Sequence, residues 1–325
     1  MTAYLFPGQG SQYVGMGKEV LRYKEAEEVF AEASDTLGYD LQKLCLEGPL
    51  DKLSLTEYSQ AAILTVSIAY LRSLPHIADY LPSCCAGHSL GEYSALVACS
   101  SLISFAQALQ ADYLPSYCAG HSLGEYSALV TCSSLSFAQA LQVVQKRANL
   151  MKEAASKNPG GMSAILKLTI DEVSEIAKDS ACEIANINSR TQIVISGRLE
   201  ALSLAEALTK EKGGKAIRLA TSGGFHSSLM KEVELGLAEV LSGIEIEPPK
   251  FKFIPNILAE PVDNPEEIRD CLIKQVTGRV RWQETMSFLE KKGVERVIEV
   301  GPGSVLANLA KKMGLAAISF EGMIK

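Results

Sequence analysis

The hydrophobic pattern of the chain changes period several times, and each change predicts an element. Residues 3–6 are an unbroken apolar run, which predicts a buried strand. That run leads into Pro7-Gly8-Gln9-Gly10-Ser11-Gln12, after which Met16, Val20, Val29, Phe30 and Ala33 predict a helix. Residues 58–74 are apolar nearly all round, as in a helix enclosed by protein. Residues 136–155 set Ala140, Val143 and Met151 on one helical face, and Arg147 falls on that face too. Turn formers at 157–161 mark a break. Beyond it, strands at 162–168, 182–188, 192–196 and 215–219 and helices at 171–179 and 199–212 run in the order β-α-β-β-α-β. That order is the ferredoxin-like signature, here an insertion. Residues 251–258 then predict a strand, 265–276 and 282–292 helices, and 296–300 a final strand. Strands alternating with helices, with glycine loops behind the strands, predict a doubly wound α/β sheet. Its first part is 1–157 and its second 221–325, around a small unit at 158–220.

Composition narrows the function classes. The chain has 325 residues, 47% hydrophobic and 21% charged, and a net charge of −7. That balance is ordinary for a globular protein and gives no basic arm for nucleic acid. No apolar run approaches the ~20 residues of a membrane span, so no membrane partner is expected. A β-prone run opens the sequence, so no secretory leader is expected either. Eight cysteines are scattered without a disulfide framework. Neither Cys-x-x-Cys nor His-x-x-x-His occurs, so no metal site is expected, and a reducing cytoplasm fits.

The candidate chemistry lies in a duplication. Residues 78–110 are repeated almost unchanged at 111–142, and each copy carries Gly-His-Ser-Leu-Gly, at 87–91 and 120–124. With a β-prone run before and a helical pattern behind, each matches the G-x-S-x-G elbow, which holds a serine hydroxyl out over a sheet edge. Ser89 and Ser122 are the candidate nucleophiles. The backbone N–H that follows each sits at a helix start, ready for an oxyanion. Four histidines are available as a base. His88 and His121 belong to the elbows, where the side chain points off the turn, and His76 closes a helix beside Pro75. His226, in a Gly-Gly loop, is the candidate base by elimination. Arg147 either snorkels to solvent or is buried, and burial demands an anion or full hydrogen bonding. The loop at 7–12 places Tyr13 where a dinucleotide fingerprint needs a third glycine, so it offers N–H groups to a reacting oxygen or makes a tight turn.

Six motifs in order make the chain resemble the malonyl-CoA:acyl-carrier-protein transacylase family: FPGQGSQ at 6–12, GHSLGEYSAL, QKRANLM at 145–151, NINSRTQIVISG at 186–197, FHSSLM at 225–230 and EVGPGSVL at 299–306. The family includes enzymes of fatty-acid synthesis and free-standing acyltransferases of polyketide synthases. The resemblance implies an α/β-hydrolase-like body. It also implies a ping-pong transfer of malonyl from malonyl-CoA, through a serine ester, to the phosphopantetheine thiol of an acyl carrier protein. The elbow serine would attack, and His226 would take its proton. The N–H groups of Gln9 and Leu123 would form the oxyanion hole, and Arg147 would pair with the malonate carboxylate. The Gln275 carbonyl would orient His226, making a Ser–His dyad. Gln275, His121, Phe225 and Asn186 join Arg147 as candidate substrate-binding residues, and Phe225 goes with malonyl over methylmalonyl. No cofactor is implied, malonyl-CoA being a substrate.

Departures from the family pattern include Ala61, Pro255, Gly278-Arg279 and Asn308, none of them a proposed chemical group. Spacing from Gln9 favours Ser89, whereas spacing to Arg147 favours Ser122. The extra Ile103 in copy one, and the continuity of copy two with the Arg147 helix, favour Ser122 and leave Ser89 the alternative. Two other functions are open: an acyl hydrolase editing carrier-bound groups, which needs no arginine for a carboxylate, and a catalytically dead carrier-binding module. A basic excess at Lys274, Arg279, Arg281, Lys291, Lys292 and Arg296 is either a solvated face or a surface for an acidic carrier.

Overall fold

A computed structural model describes residues 2–78 and 116–324. Copy one of the repeat beyond Ala78, with its elbow and Ser89, lies outside the described residues. In chain order the elements are β1 (Thr2–Phe6), α1 (Lys24–Leu37), α2 (Leu41–Glu47), α3 (Leu50–Leu53), α4 (Thr56–Ala78), β2 (Tyr117–Gly120), α5 (Gly124–Thr131) and α6 (Phe137–Lys157). They continue with β3 (Gly160–Leu166), α7 (Ile170–Ser180), β4 (Glu183–Ser189), β5 (Gln192–Arg198), α8 (Leu199–Glu211) and β6 (Lys215–Arg218). The chain ends with α9 (Lys231–Ser242), β7 (Lys252–Ile254), α10 (Pro265–Gln275), α11 (Trp282–Lys291), β8 (Arg296–Glu299), α12 (Val305–Lys312), β9 (Ala316–Ser319) and α13 (Phe320–Ile324).

The protein is a mixed α/β structure with two separate sheets. The larger is parallel, in the order β7-β2-β1-β8-β9. Period-2 alternation divides its strands between two cores. Tyr4 and Phe6 of β1 and Cys118 of β2 face the core built with α1, α4 and α6. Ala3, Leu5, Tyr117 and Ala119 face the core built with α11 and α12. Helices therefore cover both faces, which explains why residues 3–6 read as a continuous apolar run. The smaller sheet is antiparallel, in the order β4-β5-β3-β6, with α7 and α8 packed over one face.

Three expectations are corrected in detail. The helix expected from Met16 does not form as one piece, because Gly15 and Gly17 take φ of 99° and 82°; a short 3-10 turn, Lys18–Val20, precedes α1. The strand expected at 251–258 stops after Ile254, where Pro255 brings no N–H to a ladder. Nor is 296–300 the final strand: the four-residue β9 pairs with β8 beyond it. Among the described residues no helix is long and apolar enough to cross a membrane, and the five described cysteines are buried free thiols.

Candidate active site

The parallel sheet brings the site together at the carboxyl ends of β1 and β2. Ser122 follows β2 and precedes α5, with a left-handed φ of 52°. A turn this tight leaves no room for side chains beside it. A Cβ on Gly120 would overlap the Gly124 backbone, and one on Gly124 would strike the Phe6 carbonyl. The strained serine is over-determined by its neighbours. Its N–H donates to Asn256 Oδ1 at 2.6 Å, and Asn256 Nδ2 donates to the Gly120 carbonyl at 2.5 Å. The Asn256 side chain thus clamps both arms of the elbow, and the Asn256 N–H donates to Glu125 Oε1 at 2.5 Å.

Ser122 Oγ lies 2.8 Å from His226 Nε2. The other ring nitrogen, Nδ1, is 2.9 Å from the Gln275 carbonyl and 3.1 Å from that of Gly278. Carbonyls only accept, so Nδ1 carries the proton and Nε2 is left free to accept from the serine. Burial, with the Arg147 charge adding to it, lowers the histidine to about 3, so the ring is neutral at ordinary pH. His226 itself has φ 57°, held by its N–H to the Val276 carbonyl at 3.1 Å.

Arg147 is 1% exposed, which removes the snorkelling alternative. Its Nη1 donates to Gln60 Oε1 at 2.7 Å, and its Nη2 to Gln275 Oε1 at 2.9 Å and Ser122 Oγ at 3.4 Å. Its Nε has no partner among the described residues. Gln275 bridges the Arg147 and Glu125 side chains: its Nε2 donates to Glu125 Oε2 at 2.6 Å and to the Ser122 carbonyl at 2.7 Å. Burial raises the Glu125 carboxyl to about 8, while these bonds and Arg147 pull it the other way.

A cleft of about 440 Å³ opens on Ser122, lined by Gln9, His121, Arg147, Asn186, Phe225 and His226 among others. His121 turns away from the serine, Nε2 lying 2.9 Å from Asn188 Oδ1 and 3.4 Å from Asn186 Nδ2, with its ring 5.4 Å from that of Trp282. Burial lowers its pKa. Asn186 Oδ1 is buried without a partner among the described residues. On the oxyanion side, the loop and elbow N–H groups are largely spent. His121 donates to the Phe6 carbonyl, Gly124 to that of His121, Ser11 to that of Gly8, and Gly10 to Gln12 Oε1. The N–H groups of Gln9 and Leu123 donate to no described residue.

Sequence reasoning missed Asn256, Glu125 and Gln60. Glu125 had a signal: the one charged residue of a short helix that is otherwise without charge. Asn256 and Gln60 had none in the periodicity, since their role depends on chain crossings that a period does not register; each stands only beside a departure from the family pattern, Pro255 and Ala61. Among the described residues no cluster of three or more His, Cys, Asp or Glu could hold a metal ion.

The chain matches the acyl transferase domain family over residues 3–118 and 113–317. Each of the two segments contains one elbow pentapeptide. It is 37% identical over 318 residues to the malonyl CoA-acyl carrier protein transacylase of Bacillus subtilis, covering 96% of this chain and 90% of that one. The acyl-carrier-protein S-malonyltransferase of Burkholderia pseudomallei superposes with a TM-score of 0.85 at 35% identity, covering 99% of both chains. A type II PKS acyl-carrier protein in complex with its malonyl-transacylase gives a TM-score of 0.85 at 35% identity, over 98% of this chain and 95% of that one. A family match over both segments, joined to a relative of this identity and coverage, places the chain in the malonyl CoA-acyl carrier protein transacylase family.

Proposed function

We propose that the protein transfers malonyl from malonyl-CoA to the phosphopantetheine thiol of an acyl carrier protein. The observation that carries this reading is the 2.8 Å approach of Ser122 Oγ to the acceptor nitrogen of His226, with the buried, part-satisfied Arg147 beside both. Ser122 Oγ attacks the thioester carbonyl while Nε2 takes its proton, and the oxyanion is held by the Gln9 and Leu123 N–H groups. Collapse breaks the carbon–sulfur bond, and the imidazolium returns its proton to the CoA thiolate. The carrier thiol then gives its proton to His226, attacks the malonyl-serine ester and restores Ser122. Arg147 offers Nε and Nη2 to the malonate carboxylate, an anion that offsets the cost of burying a guanidinium. Asn186, His121 and Phe225 shape the acyl end, whereas the Gln275 side chain, expected there too, lies outside the cleft lining and acts behind it on Arg147 and Glu125. No cofactor enters the scheme.

Copy two is assigned the catalytic role because of where the other copy would fall. With Ser122 in the elbow, β2, α5 and the helix bearing Arg147 follow one another without interruption. With Ser89 in the elbow, residues 111–142 would split α6 before Val143, separating Phe137 and Ala140 from Arg147 on one buried face. We further read the larger body as α/β-hydrolase-like, the β3–β6 unit as a ferredoxin-like insertion at 158–220, and the location as cytoplasmic.

Quenching the protein after exposure to malonyl-CoA and mapping peptides by mass spectrometry tests the scheme. A malonyl ester on Ser122 is expected. An ester on Ser89 would reverse the register, and none on either serine would overturn the reading.

A further inference from the structure

The Gln9 N–H can serve an oxyanion only if the loop that carries it is fixed against both the elbow and the base. The elbow side is accounted for, because Gly8 packs directly on the His121 carbonyl, where no Cβ would fit. The base side rests on a hydroxyl outside the mechanism above. Thr56, the first residue of α4, is 1% exposed. Its Oγ1 accepts from Gln9 Nε2 at 3.1 Å and lies 2.8 Å from Ser222 Oγ, four residues before His226. With one lone pair occupied by Gln9, the Thr56 hydroxyl proton is free to point at Ser222. One buried hydroxyl thus joins the Gln9 loop, the start of α4 and the loop bearing His226.

We propose that Thr56 is a positioning residue of the acyl transfer step, setting the Gln9 N–H relative to His226 through the Gln9 side chain. The inference rests on the reading of Ser122, His226 and Gln9 above. Because an oxyanion forms only in the transition state, misplacing a donor lowers kcat and leaves ground-state binding of malonyl-CoA unchanged.

Thr56→Val keeps the shape and removes the hydroxyl, and Thr56→Ser keeps the hydroxyl. Rates are taken per active site, titrated by the malonyl-serine ester formed at completion. Thr56→Val is expected to lower kcat about tenfold, with KM for malonyl-CoA unchanged, and Thr56→Ser to recover most of it. Gln9→Met should reproduce the loss, and Gln9→Met with Thr56→Val should lose no more than either alone, since both cut one link. A wild-type kcat in Thr56→Val, a loss that Thr56→Ser does not recover, or additive losses in the double variant would overturn the role of Thr56 while leaving the transferase reading intact. Absence of any Ser122 ester in the wild type would overturn both.

Discussion

The two sheets of this protein bury opposite things. At the carboxyl ends of the parallel strands, Glu125, Arg147, His226, Asn256 and Gln275 are all at least nine-tenths buried. The small antiparallel sheet buries Ile165, Val173, Ile176, Ile193, Ile195 and Leu202, and keeps its ion pairs, Glu206 with Arg218 and Glu175 with Lys212, at the surface. Burying ions without full pairing costs several kcal/mol each by general estimates, and the small unit shows that this chain can build a core without it. The first region therefore gives up stability to bury polar groups, and the second, apart from Asn186 where β4 meets the cleft, is built for stability. Substitutions in the first should change rate out of proportion to folding, and substitutions in the second should do the reverse.

The largest separation is expected at Ser122. Ser122→Ala removes the nucleophile and should lower malonyl transfer by about 10⁴-fold or more, with the fold retained. Loss of the malonyl-enzyme peak in intact-mass spectra, with an unchanged melting curve, checks it. Arg147→Ala follows. It should cost malonyl transfer about 10²- to 10³-fold and acetyl transfer far less, because only malonyl presents a carboxylate. Equal losses for the two acyl groups would favour hydrolase-type chemistry over the transferase reading.

The pH response sharpens the contrast, because two buried groups of the site titrate in opposite senses. His226 is lowered to about 3, so the unfolded chain binds the extra proton first as pH falls below the usual histidine range of about 6.5. Its burial therefore costs no stability above that range and progressively more from there down towards 3. Glu125 is raised to about 8, so the folded chain holds its proton longer. Its contribution is present below the usual carboxylate range and lost as pH rises towards 8. The opposing slopes predict a melting temperature that is highest between those limits. In Glu125→Gln the decline on the alkaline side should become shallower, leaving the part owed to Glu299, which burial raises to about 7, while the acid side remains. An alkaline slope identical to wild type would remove Glu125 from the account. The acid limb of kcat/KM should lie well below the ordinary histidine range, since the base stays neutral until then.

The same contrast explains what the sequence made legible. The small unit followed its pattern to within a residue or two, because every element there alternates or repeats against a single apolar core. Ser122, His226 and Arg147 were legible as well, but for another reason: each breaks its local pattern, as a serine between tight-turn glycines, a lone histidine in a glycine loop, or a cation on an apolar face. Asn256 was not legible. It follows a three-residue strand and clamps an elbow more than a hundred residues away, a relation with no period. β9 was missed because four residues of an edge strand, half of them only partly buried, offer too short an alternation to read.

In the small unit the order of effects should invert. Ile195 is fully buried between α7, α8 and the sheet, so Ile195→Ala should lower stability by about 2–4 kcal/mol through lost burial and a residual cavity. Malonyl loading per folded molecule should stay at the wild-type rate. The smallest effect belongs to the ion pair at the rim of the same sheet. Arg218 Nε lies 2.6 Å from Glu206 Oε1, the oxygen that also accepts from Ser163 Oγ at 2.5 Å. The arginine first, and the serine hydroxyl after it, hold the Glu206 carboxyl below its ordinary value. A lowered carboxylate adds stability above its unfolded range that fades as pH falls through the folded one. Both side chains are about a third exposed, so water and salt screen the attraction and ordering two long side chains costs entropy. A double-mutant cycle on Glu206→Ala and Arg218→Ala should therefore give a coupling below about 1 kcal/mol at neutral pH, shrinking with added salt and vanishing in acid. Ser163 is fully buried, and its hydroxyl loses its acceptor when Glu206 is truncated. Glu206→Ala should thus cost more than Arg218→Ala. Equal costs would mean that the serine finds another acceptor and that the pair is only a surface contact.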